Sequence, residues 1–254
     1  MNRLTLALDV MGGDIGPRIT IPASLSALEA DPMLSLVLFG DSQQISPLLE
    51  NAPSSLLERI QIHHCTKTID NNQGISHALR HSKGTSMRLA IEMVQKGEAQ
   101  GCISAGNTGA LMGLSKVLLQ PLEGIQRPAL VSLLPSMTGD KTVMLDLGAN
   151  VECSAQNLYE FAIMGSIFAE NRLNLVYPRI ALLNIGVEEI KGHQSIREAA
   201  NLLEKSTALN YTGFIEGNFL LNGVADVIVS DGFSGNIALK TLEGAAKNLL
   251  SLLK

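Results

Sequence analysis

The chain is written in short apolar runs separated by polar, glycine-containing breaks. Leu4–Val10, Leu34–Phe39, Arg59–Cys65, Cys102–Ser104, Arg179–Ile185, Tyr211–Ile215 and Ala225–Val229 have strand length. The first is almost continuously apolar, as expected of a strand buried on both faces. Between the runs lie stretches that read as helix: Ile19–Ala30 behind Pro17, Ile45–Leu49 behind a Gly40-Asp41-Ser42 turn and cap, and Ser86–Lys96 with Met87, Ala90, Ile91 and Val94 on one face. Further helices are expected after Gly109 to about Leu119, where Pro121 stops the run, and over Ala155–Asn171, Ser195–Lys205 and Ile237–Lys254. Lys67–Thr85 reads only as a polar stretch. Ala129–Pro135 and Lys141–Leu147, separated by Ser136–Asp140, suit a hairpin or adjacent strands, which makes the sheet mixed. Repetition of strand, polar loop and helix predicts an α/β protein with a mostly parallel mixed sheet covered by helices. No composition break marks a linker, so residues 1–254 are expected to form one domain.

Bulk properties narrow the function. A formal net charge of −5 gives no general attraction for nucleic acid, and none is expected as a partner. Cys65, Cys102 and Cys153 are odd in number, far apart and lack a CxxC pair. They read as small packed hydrophobes in a reducing compartment, not as a disulfide framework or zinc knuckle. Leu4–Val10 is short for a signal segment and carries Asp9, and no stretch reaches the roughly 18–20 apolar residues of a membrane span. The expected location is cytoplasmic.

Five strand ends are rich in Gly, Asp and Asn: Asp9–Asp14, Ala105–Gly109, Asp146–Asn150, Asn184–Lys191 and Asp231–Asn236. In α/β sheets ligands bind outside the carboxyl ends of strands, so convergence of these loops on one crevice is the expected site. In Ala105-Gly106-Asn107-Thr108-Gly109 the glycines free the backbone, and Asn107 or Thr108 can cap the helix that follows. Such a helix start suits an anion, though a plain structural turn stays open, since neither a Walker A nor a GxGxxG pattern is present. Lys191 beside Glu188 and Glu189 is either a solvated charge cluster or a phosphate ligand oriented by an acid. Asp231-Gly232-Phe233-Ser234-Gly235-Asn236 lacks the spacing of a nucleophile elbow and reads as a further anion loop, with Asn236 capping the last helix. His77 and His81 stand four apart without further ligands and read as exposed, so no metal site is expected. His193 is open between a proton carrier and a surface residue. The residues alone point to an anion-binding enzyme without an evident covalent nucleophile.

Taken together the loops resemble a known family. Asp9-Val-Met-Gly12-Gly13-Asp14, Ser86-Met-Arg88, Ala105–Leu111, Arg127-Pro-Ala129, Asp146-Leu-Gly-Ala-Asn150, Asn184–Glu188 with Lys191-Gly192, Glu216-Gly217, and Asp231–Asn236 with Lys240 look like the successive motifs of the bacterial PlsX-type phosphate acyltransferases. The resemblance implies transfer of a fatty acyl group from acyl carrier protein to inorganic phosphate, giving an acyl phosphate for phospholipid synthesis. It also implies a homodimer with peripheral membrane association, no cofactor, and the α/β/α layers shared with phosphotransacetylases and isopropylmalate dehydrogenases. Position 10 is Val where the family usually has Ala. Family members also continue for several tens of residues past this end, so incompleteness at the C-terminus is expected.

On this reading Lys191 and Asn236 are the catalytic pair. Phosphate and thioester are held by Asp9, Gly12, Gly13, Asn107, Thr108, Gly109, Asn150, Asp231, Gly232, Ser234 and Gly235. Phosphate is its own nucleophile, which fits the lack of an activated Ser or Cys, and catalysis rests on holding the reactants in near-attack geometry. Arg80, Lys83 and Arg88 form a basic patch suited to an acidic carrier protein. Lys240, Lys247 and Lys254 recur every seven residues on a helix whose leucines and alanines supply apolar surface, suited to anionic lipid or to a core or dimer helix with a solvated lysine stripe. Two alternatives remain: a metal- and NAD-dependent dehydrogenase of the isopropylmalate type, with Asp226 and Asp231 as carboxylates, and a non-catalytic carrier-protein or lipid-binding module.

Overall fold

The computed structural model describes residues 3–253. The chain divides into two compact units, Met1–Gln120 and Pro121–Lys254.

In the first unit, strands β1 (Leu4–Asp9), β2 (Leu34–Gly40), β3 (Ile60–His64) and β4 (Gly101–Ser104) form a four-stranded sheet in the order β3-β2-β1-β4, parallel throughout. The helices are α1 (Pro17–Ala30), α2 (Ser42–Leu49), α3 (Ser54–Leu57), α4 (Ile75–His81), α5 (Ser86–Gln95) and α6 (Thr108–Leu119). Alternation along β2 explains the layering. Leu36 and Leu38 join one core with Ile21, Leu28 and Ile45, whereas Val37 and Phe39 join another with Ala90 and Ala99. Both sheet faces are therefore covered, which is why these strands are nearly all apolar. Pro17 takes the first position of α1, and Asp41 caps α2 by accepting from Gln43 N.

The second unit holds β5 (Val131–Pro135), β6 (Lys141–Leu145), β7 (Arg179–Leu183), β8 (Asn210–Ile215) and β9 (Val227–Val229), in the order β5-β6-β9-β7-β8. Its helices are α7 (Ala155–Leu173), α8 (Gln194–Glu204) and α9 (Gly232–Leu252). The expected hairpin is real: β5 is antiparallel to β6, and the other neighbours are parallel. Val143, Leu145, Ile180, Leu182, Val227 and Val229 pack with Leu158 and Phe161 of α7. The intervening Met144, Ala181 and Ile228 face the opposite way, toward Leu239 and Leu242 of α9. Each unit is thus an α/β/α layering.

Two expectations need correction. The polar stretch before Ser86 contains α4, held by burial of Ala78 beneath a run too short to show helical periodicity. The last helix begins at Gly232, not Ile237, so the segment read as a loop is its first turn.

Candidate functional site

In the first unit the polar features gather where β1 and β4 end. These strands pair in register, with Asp9 opposite Ser104, which puts both side chains on the same face. Asp9 is 2% exposed and accepts a hydrogen bond from Ser104 Oγ at 2.7 Å. Ser104 Oγ in turn accepts from Gly106 N–H at 3.1 Å. Gly12 closes over this chain of bonds. A Cβ there would lie 2.7 Å from Gly106 N and 2.9 Å from Asp9 Oδ2, so no other residue fits without displacing backbone.

Asn107 caps α6, with its Oδ1 accepting from Ala110 N at 3.0 Å. Its Nδ2 donates to the carbonyls of Asn71 and Gln73. Both ends of this amide are therefore held by protein. The N–H groups of Thr108 and Gly109 have no partner among the described residues, and Thr108 is exposed. These are the donors the helix start leaves for an anion.

The expected basic patch is smaller than its sequence suggests. Arg80 and Lys83 are exposed, but Arg88 donates from Nε to Glu92 Oε1 at 2.6 Å and from Nη1 to Ser82 Oγ at 3.0 Å. The imidazoles of His77 and His81 stack, with ring centroids 4.1 Å apart.

In the second unit the ends of β6, β9 and β7 are neighbours. Asp146, fully buried, organises the loop after β6. Its Oδ1 accepts from the N–H groups of Leu130, Gly148 and Ala149, and its Oδ2 accepts from Asn150 N and Nδ2. Asn150 also donates to the Pro128 carbonyl, and its own carbonyl accepts from Gly232 N at 2.7 Å. Asp231, not Asn236, caps α9: its Oδ1 accepts from Ser234 N at 2.8 Å and its Oδ2 from Ser234 Oγ at 3.0 Å. Asn236 lies within the helix and donates from Nδ2 to the Leu147 carbonyl at 3.2 Å. The side chains of Asp231 and Asn150 are thus occupied in building the site.

Lys191 Nζ lies 3.1 Å from Glu188 Oε1, and both side chains are about half exposed. The Glu188 carboxyl sits below its usual range, chiefly through a hydrogen bond from its own backbone N–H and then through Lys191. Asn184 fastens this loop by donating from Nδ2 to the Lys191 carbonyl at 3.1 Å. His193 is the residue before α8, and its side chain makes no capping bond. It lines a cleft of about 610 Å³ with Cys153, Asp231, Phe233 and Ser234. Burial pushes the Cys153 thiol up to about 11, with the Asp146 charge adding to it, which makes Cys153 a poor nucleophile.

Asp226 and Asp231 flank the three-residue β9 at opposite ends, and the five extended residue steps between them span about 16 Å. Asp226 is bound by Arg179, with Nε to Oδ2 at 3.0 Å and Nη2 to Oδ1 at 2.8 Å. The two carboxylates considered for a dehydrogenase metal therefore do not form a common ligand set. Ser104 and Asp146 are the important polar residues to which the sequence assigns no role, although Asp146 opens one of the five polar loops. Ser104 ends an apolar run, and only the strand register reveals its partner.

The α/β/α layering with glycine loops at its strand ends is the fold of solved phosphotransacetylases. A phosphotransacetylase from Streptococcus pyogenes superposes with a TM-score of 0.67 at 18% identity, over 96% of this chain and 82% of that one. Residues 4–254 match the fatty acid synthesis protein family, and the chain belongs to it. It is 79% identical over 254 residues to a phosphate acyltransferase of Pasteurella multocida, and 78% identical to one of Mannheimia succiniciproducens. Each match covers all of this chain and 75% of the relative. The protein is accordingly an acyltransferase.

Proposed function

We propose that this chain transfers a fatty acyl group from acyl carrier protein to inorganic phosphate, and that the acyl phosphate feeds phospholipid synthesis. The observation that carries the reading is 79% identity, across the whole chain, to a relative named phosphate acyltransferase. A phosphate oxygen attacks the thioester carbonyl, a C–O bond forms as the C–S bond breaks, and the thiolate leaves with the proton that phosphate gives up. In the first unit, the free N–H groups at the start of α6 suit a phosphate dianion. In the second, Lys191, oriented by Glu188, supplies positive charge, and Asn236 supplies an amide beside the Asp146 loop. Arg80 and Lys83 are the part of the basic patch proposed to meet the acidic carrier protein.

The reading extends to a homodimer working in the cytoplasm, with peripheral contact at the membrane. Leu249, Leu250, Leu252 and Leu253 of the last helical segment are exposed, and exposed Lys247 lies two residues before them. Lys240 is paired with Glu243 at 2.9 Å, and Lys254 lies outside the described residues. No helix among the described residues is long and apolar enough to cross a membrane.

The test is to incubate the protein with acyl carrier thioester and phosphate and trap the product with hydroxylamine. Phosphate-dependent hydroxamate is expected, and Lys191→Ala should weaken phosphate use by well over tenfold. Thioester binding without hydroxamate would favour a non-catalytic module. Hydride transfer to NAD would favour a dehydrogenase.

A further inference from the structure

We propose that Ser104 is a positioning residue for phosphate, which it never touches. This deepens the reading above and rests on it, since it takes the start of α6 as the phosphate site.

Hydrogen-bond direction at Ser104 is fixed by its partners. A carboxylate only accepts, so the single Ser104 proton goes to Asp9 Oδ2 at 2.7 Å. The Ser104 oxygen is then left with lone pairs, and Gly106 N–H donates to it at 3.1 Å. Each member of this chain of bonds has one role available, so the hydroxyl has no alternative rotor state. Asp9 Oδ1 is buried without a partner among the described residues, which makes Ser104 the side chain that holds this carboxylate.

The fixed N–H then sets the loop. In a planar trans peptide the N–H and C=O point oppositely, so drawing Gly106 N–H toward Ser104 turns the Ala105 carbonyl away. That carbonyl lies against Gly13, where a Cβ would be 3.3 Å from it. Gly12 seals the other side, 2.7 Å from Gly106 N by the same measure, and leaves no space there for a ligand atom. Gly106 N–H is therefore a structural donor. The donors left for phosphate start two residues later, at Thr108 and Gly109; the anchored Asn107 cap holds the helix start, and the Ala105–Gly106 peptide sets how the chain enters it. Among the described residues, Ser104→Ala removes the one side chain bonded to the Gly106 N–H and leaves Asp9 without a donor on either oxygen.

The experiment compares four variants in the hydroxylamine assay, with phosphate affinity also read by isothermal titration calorimetry and folding by thermal denaturation. Thr108→Pro deletes one N–H at the first helical position, where proline is tolerated, and Thr108→Ala separates that loss from loss of the hydroxyl. Ser104→Ala should raise the phosphate KM and Kd at least tenfold, leave the thioester KM within twofold, and keep most of kcat at saturating phosphate. Ser104→Thr, which keeps the hydroxyl, should stay within about threefold of the parent, as the serine-to-alanine loss is one of orientation. Equal changes in both KM values, or a lower melting midpoint with unchanged phosphate affinity, would overturn the positioning role. If Thr108→Pro weakens phosphate binding and Ser104→Ala does not, the Ser104 role fails alone. If neither moves it, the phosphate site itself is misplaced.

Discussion

Asn150 approaches the Asp146 carboxylate twice, through its main-chain N at 2.7 Å and its Nδ2 at 2.8 Å, both on Oδ2. One carboxylate thereby closes a five-residue loop at the end of β6, and its other oxygen collects three further N–H groups. An amide in place of that carboxylate would present an NH2 to donors on one side. Asp146→Asn is expected to destabilise the second unit by about 3 kcal/mol or more, since a hydrogen bond to a charged group is worth about 1.5–3 kcal/mol and several are disturbed at once. Asn150→Ala, which leaves the backbone bond intact, should cost about 1–2 kcal/mol. Urea unfolding of the two variants checks both the size and the order.

Two glycines of α9 should respond oppositely to alanine. A Cβ on Gly235 would lie 1.9 Å from the Asp146 carbonyl and 2.5 Å from Ser230 Oγ, whereas nothing stands within 4 Å of one on Gly244. Gly235→Ala must push the helix off the β6 loop and should cost upward of about 3 kcal/mol. Gly244→Ala replaces a helix-interior glycine in open space and should stabilise by about 0.5–1 kcal/mol. Thermal melts showing equal effects would contradict this packing.

Arg179 and Asp226 give the second unit an acid-sensitive tie. Burial alone would raise the Asp226 carboxyl, but hydrogen bonds from the Arg179 side chain and backbone hold it below its ordinary 3.8. A depressed folded-state value means stability that is present above the unfolded value and lost as pH falls through the folded one. With Arg179 about half exposed, solvent screening limits the contribution to about 1 kcal/mol. Asp226→Asn should therefore be less stable than the parent at pH 7, with the gap closing below about pH 4 in parallel urea titrations.

The cysteines should react as buried thiols. Burial, with the Asp9 charge adding to it, pushes Cys102 up to about 12, and burial with the Asp9 and Asp41 charges pushes Cys65 to about 11. Carbamidomethylation followed by mass spectrometry should be slow at pH 7 and still accelerating at pH 10. An unperturbed thiol levels off past about pH 9. Early levelling at Cys153 would mean that its cleft is wetter than its burial implies.

Most elements were legible because strands buried on both faces must be apolar almost throughout, and Leu4–Asp9 and Leu34–Gly40 are. The helix starts were harder. Asp231 and Asn236 both have capping chemistry, and sequence alone could not tell that residues 232–236 were already helical. The candidate loops were visible as Gly, Asp and Asn clusters, but the use of each side chain was not. Asn107, chosen as a ligand, has both ends of its amide engaged by protein, and Arg88, chosen for a docking patch, is held by Glu92. Such pairings depend on which residues the fold makes neighbours across tens of positions. Ser104 and Asp9 stand 95 residues apart in the chain and meet only through strand register.

The last helix has a further consequence. Its first turn is fixed by Gly232, Gly235 and the Asp231 cap, and Leu239 and Leu242 still pack on the sheet. From Ala245 to Leu253 every residue is exposed. A helical segment that short, without packing, is marginal in water. Amide hydrogens should therefore exchange progressively faster from Leu242 toward Leu252 in the isolated chain. Slowing of that exchange becomes a local gauge of contact, able to report a second subunit or a lipid surface before any change in activity is measured.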